Sequence, residues 1–528
     1  ELVNPFNPDK DKRWRTPWYG GVTLSLVSIF VLASMIAVWS KFPEVETSPE
    51  DLIVYCAAGI RKPVEAAAIA FQKEFGVKIT LDYDSSGALE GKLQLDRDSN
   101  KSRADLYIPA DLSFATRARE KGLTAESIQL ASFNLVLASS PKANLAFSSL
   151  DEFLGLEVPF VLCNETAGAG KTTKATLENL GKWEMFDAAK KTASPRVTDA
   201  AAAVVASDIV QAGFLWNTTA KQFGLKIHDL PELANVTSRI TANVSSSSQK
   251  TRQALFFARY LAAPSKGQVH FAKHHFMGVA GDKWVKKPEL IIYCGGVNRE
   301  AVTQTLRDFE KREGCAIIEQ FAGCGSLVAN IKAIDMSKAK TAMPDVFLTC
   351  DASYMGKVDS LFSGARDVSS TDIVMLVRKG NPQNLQTLED LGRKDLSIGT
   401  TDQKISTLGD LSWQLLAKAG VDERIKANGT WEVTTPTAHE LILQMEGHPK
   451  LDVALVYFAN CQNLSKGQFE TIAINNPLAR ATQNIAVYDN SAFPHITGRL
   501  VEAITSLDSK ARFLNAGFRW KAEDAKAN

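Results

Sequence analysis

The chain has no excess of either charge. Sixty Lys and Arg face 59 Asp and Glu over 528 residues, a formal net charge of +1. That balance argues against nucleic acid as a partner, because a phosphate backbone demands a concentrated basic surface. No low-complexity run or block of like charge marks a long disordered arm. Catalytic signatures are missing too: there is no nucleophile elbow, no metalloprotease helix and no complete phosphate loop. No catalytic residue, metal ligand or cofactor is therefore assigned. Cysteine is sparse and odd in number, with seven residues at 56, 163, 294, 315, 324, 350 and 461. At least one thiol must stay unpaired, and connectivity cannot be read from spacing.

What is present is a sequence stated twice. Residues 51–60 (DLIVYCAAGI) return as 289–298 (ELIIYCGGVN), residues 71–79 (FQKEFGVKI) as 309–317 (FEKREGCAI), and residues 104–111 (ADLYIPAD) as 344–351 (PDVFLTCD). The spacing stays between 238 and 240 residues throughout, far too long for a solenoid. At 45% hydrophobic and 23% charged, each copy is ordinary globular material, and the whole is too long for one core.

Ahead of the first copy, Thr16 to Ser40 carries no charge, and Val22 to Trp39 is strongly apolar. A helix of about 20 residues crosses a hydrocarbon layer of roughly 30 Å. Trp14, Trp18, Tyr19 and Trp39 bracket the segment as interfacial rings do, and Lys10, Lys12, Arg13 and Arg15 precede it. The expectation is a short cytoplasmic N-terminus (1–19), a transmembrane helix in the lipid bilayer (20–40), a linker (41–50) and two domains outside (51–287 and 288–528). A cleaved signal peptide is the competing reading; no small-x-small cleavage site lies near Trp39.

Within each copy, short apolar runs alternate with helical segments. Ile53–Tyr55, Val77–Leu81 and Leu106–Ile108 read as strands, with helices after Arg61 and from Leu89 to Leu95. Such alternation predicts an α/β, doubly wound sheet. Ligands of such sheets bind beyond the carboxyl ends of the strands. This brings Ala57–Gly59 beside Ser85–Gly87, and Gly295–Gly296 beside Cys324–Ser326.

These residues resemble the periplasmic solute-binding proteins of ABC transporters, most closely the molybdate-binding branch. The resemblance rests on the apolar strand ending in small residues, the Phe-x-Lys-Glu-x-Gly-Val helix end, the Ser-Ser-Gly turn at 85–87 and the Ala-Asp-Leu-Tyr-Ile strand. It continues through Leu135–Ala138, Pro141 and residues 150–153 (LDEF), mirrored by Val374–Val377, Pro382 and residues 388–391 (LEDL), and closes at Phe276 and Phe518. It implies two tandem type II periplasmic-binding domains, each with two lobes joined by crossing strands. Between the lobes, an oxyanion would be held by serine hydroxyls and backbone N–H groups.

By that resemblance the site falls on Ala58, Gly59, Ser85, Ser86, Gly87, Thr166, Gly168 and Trp216 in the first copy. In the second it falls on Gly295, Gly296, Cys324, Gly325, Ser326 and Tyr457. The family's first serine is placed at Gly59 and Gly296, neither of which supplies a hydroxyl; the second survives as Ser85–Ser86 but becomes Gly323–Cys324. Helix N-termini still offer donors to an anion, so a molybdate-like oxyanion is one ligand this pattern admits.

Other features are weighed down. The run Gly168–Thr173 lacks the glycine of a phosphate loop at Glu165, although Lys171 lies beside it. His270 and His274, four apart, read as a solvated helix face rather than a zinc pair. Cys294, Cys324 and Cys350 each follow a strand and converge on the second cleft, as a soft-metal set, one disulfide or plain buried thiols. Asp105, Asp111, Asp345 and Asp351 read as loop and helix caps. Two functions remain. One is a tandem solute-binding protein on the periplasmic side of the bacterial inner membrane, presenting a small anion to an integral membrane partner such as a transporter permease. The other is a non-catalytic docking subunit of a larger membrane complex with degenerate pockets.

Overall fold

The computed structural model describes residues 51–521, apart from positions 100, 102, 207–208, 338–341, 463 and 465–466. The expected membrane helix at 20–40 lies outside the described residues. Among those described, no helix is long and apolar enough to cross a membrane.

The first copy opens with β1 (Leu52–Ala57), buried at nearly every position, as a strand covered on both faces must be. The helix Arg61–Phe75 follows and sets Val64, Ala67, Ala68 and Phe71 against the sheet at helical spacing. It stops at Gly76, whose φ of 72° is the left-handed conformation glycine adopts without strain. The repeat reproduces this stop at Gly314, φ 69°. Next come β2 (Ile79–Asp84), β3 (Leu106–Ile108), β4 (Thr124–Ser139), β5 (Phe160–Cys163), β6 (Thr192–Ser194), β7 (Ala212–Trp216), β8 (Lys226–His228) and β9 (Thr237–Ser245). Their order is β2-β1-β3-β9-β4-β7-β5-β6, with β8 beside β4.

The second copy repeats the plan with β10 (Glu289–Gly295), β11 (Ala316–Ala322), β12 (Val346–Leu348), β13 (Phe362–Arg378), β14 (Ile398–Thr401), β15 (Trp431–Thr435), β16 (Val453–Tyr457), β17 (Phe469–Ala473), β18 (Arg480–Tyr488) and β19 (Arg519–Trp520). The order is β11-β10-β12-β18-β13-β16-β14-β15, with β17 and β19 both on β13.

Each sheet is mixed, not purely parallel as the alternation predicts. β1, β2 and β3 run parallel, but β9 is antiparallel to β3 and to β4. The reason is the crossing strand. β4 pairs with β9 through Thr124–Asn134 and then with β7 through Leu135–Ser139. One strand thus enters both lobes, and β13 does the same between β18 and β16. In each copy the cleft lies where the lobes face one another across these strands.

The copies pack through their first lobes. The helix Thr251–Ala262 lies against Arg299–Glu313. Behind that contact Glu313 pairs with Arg499 at 2.6 and 2.8 Å, both buried. The buried guanidinium of Arg259, from the first copy, adds its charge to Glu313. The connecting segment is pinned too. Asp282 accepts the N–H groups of His495 and Ile496 at the start of a second-copy helix. Trp284 sits among Phe75, Phe256 and Tyr260 of the first copy.

Candidate functional site

In both copies the loops after the strands meet across the cleft, and both clefts are closed. In the first, Gly87 N–H donates to Thr166 O at 2.8 Å, and Thr172 Oγ1 donates to Asp111 Oδ2 at 3.1 Å. In the second, Ser326 N–H donates to Ile405 O at 3.2 Å, and the Tyr354 hydroxyl donates to Asp410 at 3.2 Å. Donors that an anion would use at these two helix starts are already taken by lobe-two carbonyls.

The first cleft gathers its expected residues and ties its two serines to the fold, while Trp216 Nε1 and Thr219 Oγ1 stay buried without a partner. Ser85 caps the helix Ser86–Asp98 through Ala88 N–H, and Ser86 Oγ accepts from Ala110 N–H at 3.0 Å. Both hydroxyls serve the fold. A Cβ on Gly59 would stand 3.0 Å from Val197 Cγ1, 3.5 Å from Trp216 Cδ1 and 3.7 Å from Thr219 Oγ1. Trp216 itself is fully buried against Phe133, ring centroids 4.2 Å apart. Gly168 abuts Ala110 and Asp111, where a Cβ would find atoms at 3.2 Å. Lys171 lies over the Phe114 ring at 5.0 Å.

The second cleft holds a cavity of about 310 Å³, lined by Gly296, Arg299, Cys350, Ser406, His439, Tyr457 and Asn460 among others. Matching positions explain the contrast. In sheet register, Gly59 corresponds to Val297 and Val197 to Ala438. The larger side chain of the pair therefore moves from lobe two to lobe one, and Trp216 gives way to the smaller Tyr457. That register also corrects the sequence alignment, in which Gly59 was matched to Gly296; Gly296 is the counterpart of Ala58. Four helices begin at the cavity wall: Arg299–Glu313 behind Gly296 and Val297, Cys324–Ser337 behind Gly323, Thr407–Lys418 behind Ser406, and Ala438–Gly447 behind Thr437. Their N-termini bring positive partial charge to the pocket, less the Ser326 N–H spent on Ile405 O, while Glu300 and Glu440 line it as well. The Tyr457 hydroxyl is buried with no hydrogen-bond partner, and so is Asn460 Oδ1. Burial holds the Tyr457 phenol well above its ordinary range, so it stays protonated and able to donate.

Gly325 and Ser326 do not line this cavity; they press on Lys404 and Ile405, where a Cβ on Gly325 would stand 2.2 Å from Lys404 O. The three-thiol convergence reduces to two. Cys324 and Cys350 meet at 3.1 Å, while Cys294 turns to Gly295 O at 3.7 Å. Among the described residues, no cluster of three or more His, Cys, Asp or Glu is placed to hold a metal ion. His270 lies on the short helix Gly267–Lys273 and His274 at its end, both half-buried. The repeated carboxylates are ties. Asp105 and Asp345 accept from Ile53 N–H and Ile291 N–H, and Asp111 and Asp351 cap the following helices. Sequence reasoning missed Val197, Ala438, His439 and Asn460; the strand-end rule applied to β6, β15 and β16 finds all four.

The profile of the bacterial extracellular solute-binding proteins matches residues 52–277 and again 290–519. The chain belongs to that family. Solved structures are similar to 43–45% of the chain, about the length of one copy. One is the periplasmic molybdate-binding protein of Azotobacter vinelandii (18% identity, 43% of this chain, all of that one, TM-score 0.37). Others are the sulfate-binding protein SubI of Mycobacterium tuberculosis (13%, 45% and 90%, TM-score 0.37) and the periplasmic binding protein AfuA of Actinobacillus pleuropneumoniae with fructose-6-phosphate (14%, 45% and 88%, TM-score 0.39). No sequence among the curated proteins matches.

Proposed function

We propose that this tandem solute-binding protein takes up a small anion in its second cleft and uses its first copy as a closed scaffold. The observation that carries this reading is the cavity that ends on the unpartnered, protonated Tyr457 hydroxyl. Three helix N-termini around it, at Arg299, Thr407 and Ala438, together with the Arg299 guanidinium, favour a negative ligand against the Glu300 and Glu440 carboxylates that also line the cavity. A molybdate-like oxyanion fits that chemistry, as do phosphate and small carboxylates. The uncharged stretch Thr16–Ser40 supports an anchor in the bacterial inner membrane, with the cytoplasm at its N-terminus and both copies on the periplasmic side. Tethering would raise the local concentration of loaded protein near an integral membrane partner such as a permease.

The test is thermal unfolding of the chain against molybdate, tungstate, sulfate, phosphate and carboxylates. A ligand that binds only the folded state raises the melting temperature. The expected result is a shift with one anion that Tyr457→Phe weakens and Ser85→Ala leaves in place. A shift removed by Ser85→Ala instead would move the site to the first cleft. The first-copy serines spent on the fold favour a second reading, a docking subunit of a membrane complex, and no shift across the panel would favour it further.

A further inference from the structure

Three positions on the floor of the second cleft differ together from their counterparts in the first. Ser86 is replaced by Cys324, Ala110 by Cys350 and Ala57 by Gly295, in sheet register. In the first copy Ser86 Oγ accepts from Ala110 N–H at 3.0 Å. In the second, Cys324 Sγ accepts from Cys350 N–H at the same 3.0 Å. The sulfur has inherited the serine's structural bond, and the second substitution then sets another sulfur 3.1 Å from it. The third makes room. A Cβ on Gly295 would stand 2.3 Å from Cys350 Sγ and 3.0 Å from Cys324 Sγ, so the alanine of the first copy would drive into both.

The two thiols are not equivalent. Cys350 lines the cavity, whereas Cys324 is fully enclosed behind it. The Cys324 thiol donates to Cys350 Sγ and holds the Cys350 thiol below its ordinary value despite burial. Burial drives Cys324 the other way, well above its ordinary range. Cys350 is thus the residue at the cavity and carries the more acidic thiol of the pair; Cys324, enclosed behind it, is its proton donor.

We propose that Cys324 and Cys350 form a redox-active dithiol at the floor of the second cleft, exchanging with small disulfides that enter it. The Cys350 thiolate attacks one sulfur of the entering disulfide and expels the other as a thiolate, giving a mixed disulfide. Cys324 then loses its proton to the departing thiolate and attacks Cys350 Sγ. This expels the second thiolate, which takes up the proton displaced when Cys350 ionised. Two protein thiols are oxidised to one disulfide, and the entering disulfide is reduced to two thiols. Closure asks the sulfurs to approach by about 1 Å, to a bond of about 2.0 Å. This exchange stands whether or not the cleft also binds an anion.

The test is differential alkylation of the full chain after exposure to 2-hydroxyethyl disulfide, read by peptide mass spectrometry. The expected result is that Cys324 and Cys350 lose their thiols together, joined to each other, and regain them with dithiothreitol. Two variants restore the residues of the first copy and keep its packing. In Cys324→Ser, Cys350 should stop at the mixed disulfide with mercaptoethanol; in Cys350→Ala, Cys324 should remain a free thiol. Recovery of both thiols after treatment, closure of a different pair, or an adduct on Cys350 of the unaltered chain that never closes would each overturn the proposal.

Discussion

At the scale of single residues, the two copies diverge in compensating sets. Gly295 is needed because two sulfurs crowd it, Cys350 Sγ the more closely. Gly295→Ala should destabilise the second copy by about 1–3 kcal/mol through overpacking, whereas adding Cys350→Ala removes the nearer sulfur and should recover part of that loss. Urea unfolding of the single and double variants checks this; equal losses in both would remove the argument from space. The same logic links Gly59 with Val197, and Val297 with Ala438. Sequence reading reached the turn residues, because Ser85, Ser86 and their replacements sit in a recognisable motif. It missed the partners across the cleft. Val197 and Ala438 follow short strands with no motif of their own, and their role depends on which lobe carries the bulk.

At the scale of elements, ties between neighbouring helices hold the first lobes in shape. Glu90, buried on Ser86–Asp98, accepts from Arg117 Nε at 2.8 Å and from Lys121 Nζ at 2.9 Å. Burial alone would raise its carboxyl, but the hydrogen bonds from Arg117 and Lys121 outweigh it and leave the value below the ordinary range. A lowered carboxyl stabilises the fold above its unfolded value and loses that effect as pH falls through the folded one. Glu90→Gln should therefore cost about 1.5–3 kcal/mol at neutral pH. The gap to the unaltered chain should begin to close below about pH 4.3 and vanish once the native carboxyl is protonated. Melting curves across pH test this; a gap that persists in strong acid would assign Glu90 a packing role instead.

The crossing strands show why the lobes were easier to read than their hinge. Through Asn134, β4 mixes buried and half-buried positions, whereas four of its last five residues, Leu135–Ser139, are buried. The pattern changes because the strand leaves one sheet edge for the middle of another lobe, and local periodicity gives no sign that both halves are one element. The repeated strand–helix units, by contrast, are short, and the central strands β1, β3, β10 and β12 are almost wholly buried, so each announces itself twice.

At the scale of the whole molecule, the buried charges at the junction matter most. Glu313 answers two guanidinium groups, Arg499 from its own copy and Arg259 from the other. Glu313→Gln should cost about 3–5 kcal/mol, because it leaves buried cations uncompensated. Calorimetry should show both copies melting earlier, where damage confined to one would shift a single transition. The junction also has a historical consequence. Once a cation of one copy leans on an anion of the other, losing the second copy strips Arg259 of its counter-charge, and losing the first leaves Glu313 to Arg499 alone. The duplication has become a ratchet: the tandem can diverge residue by residue, but a deletion cannot return it to a single working unit in one step.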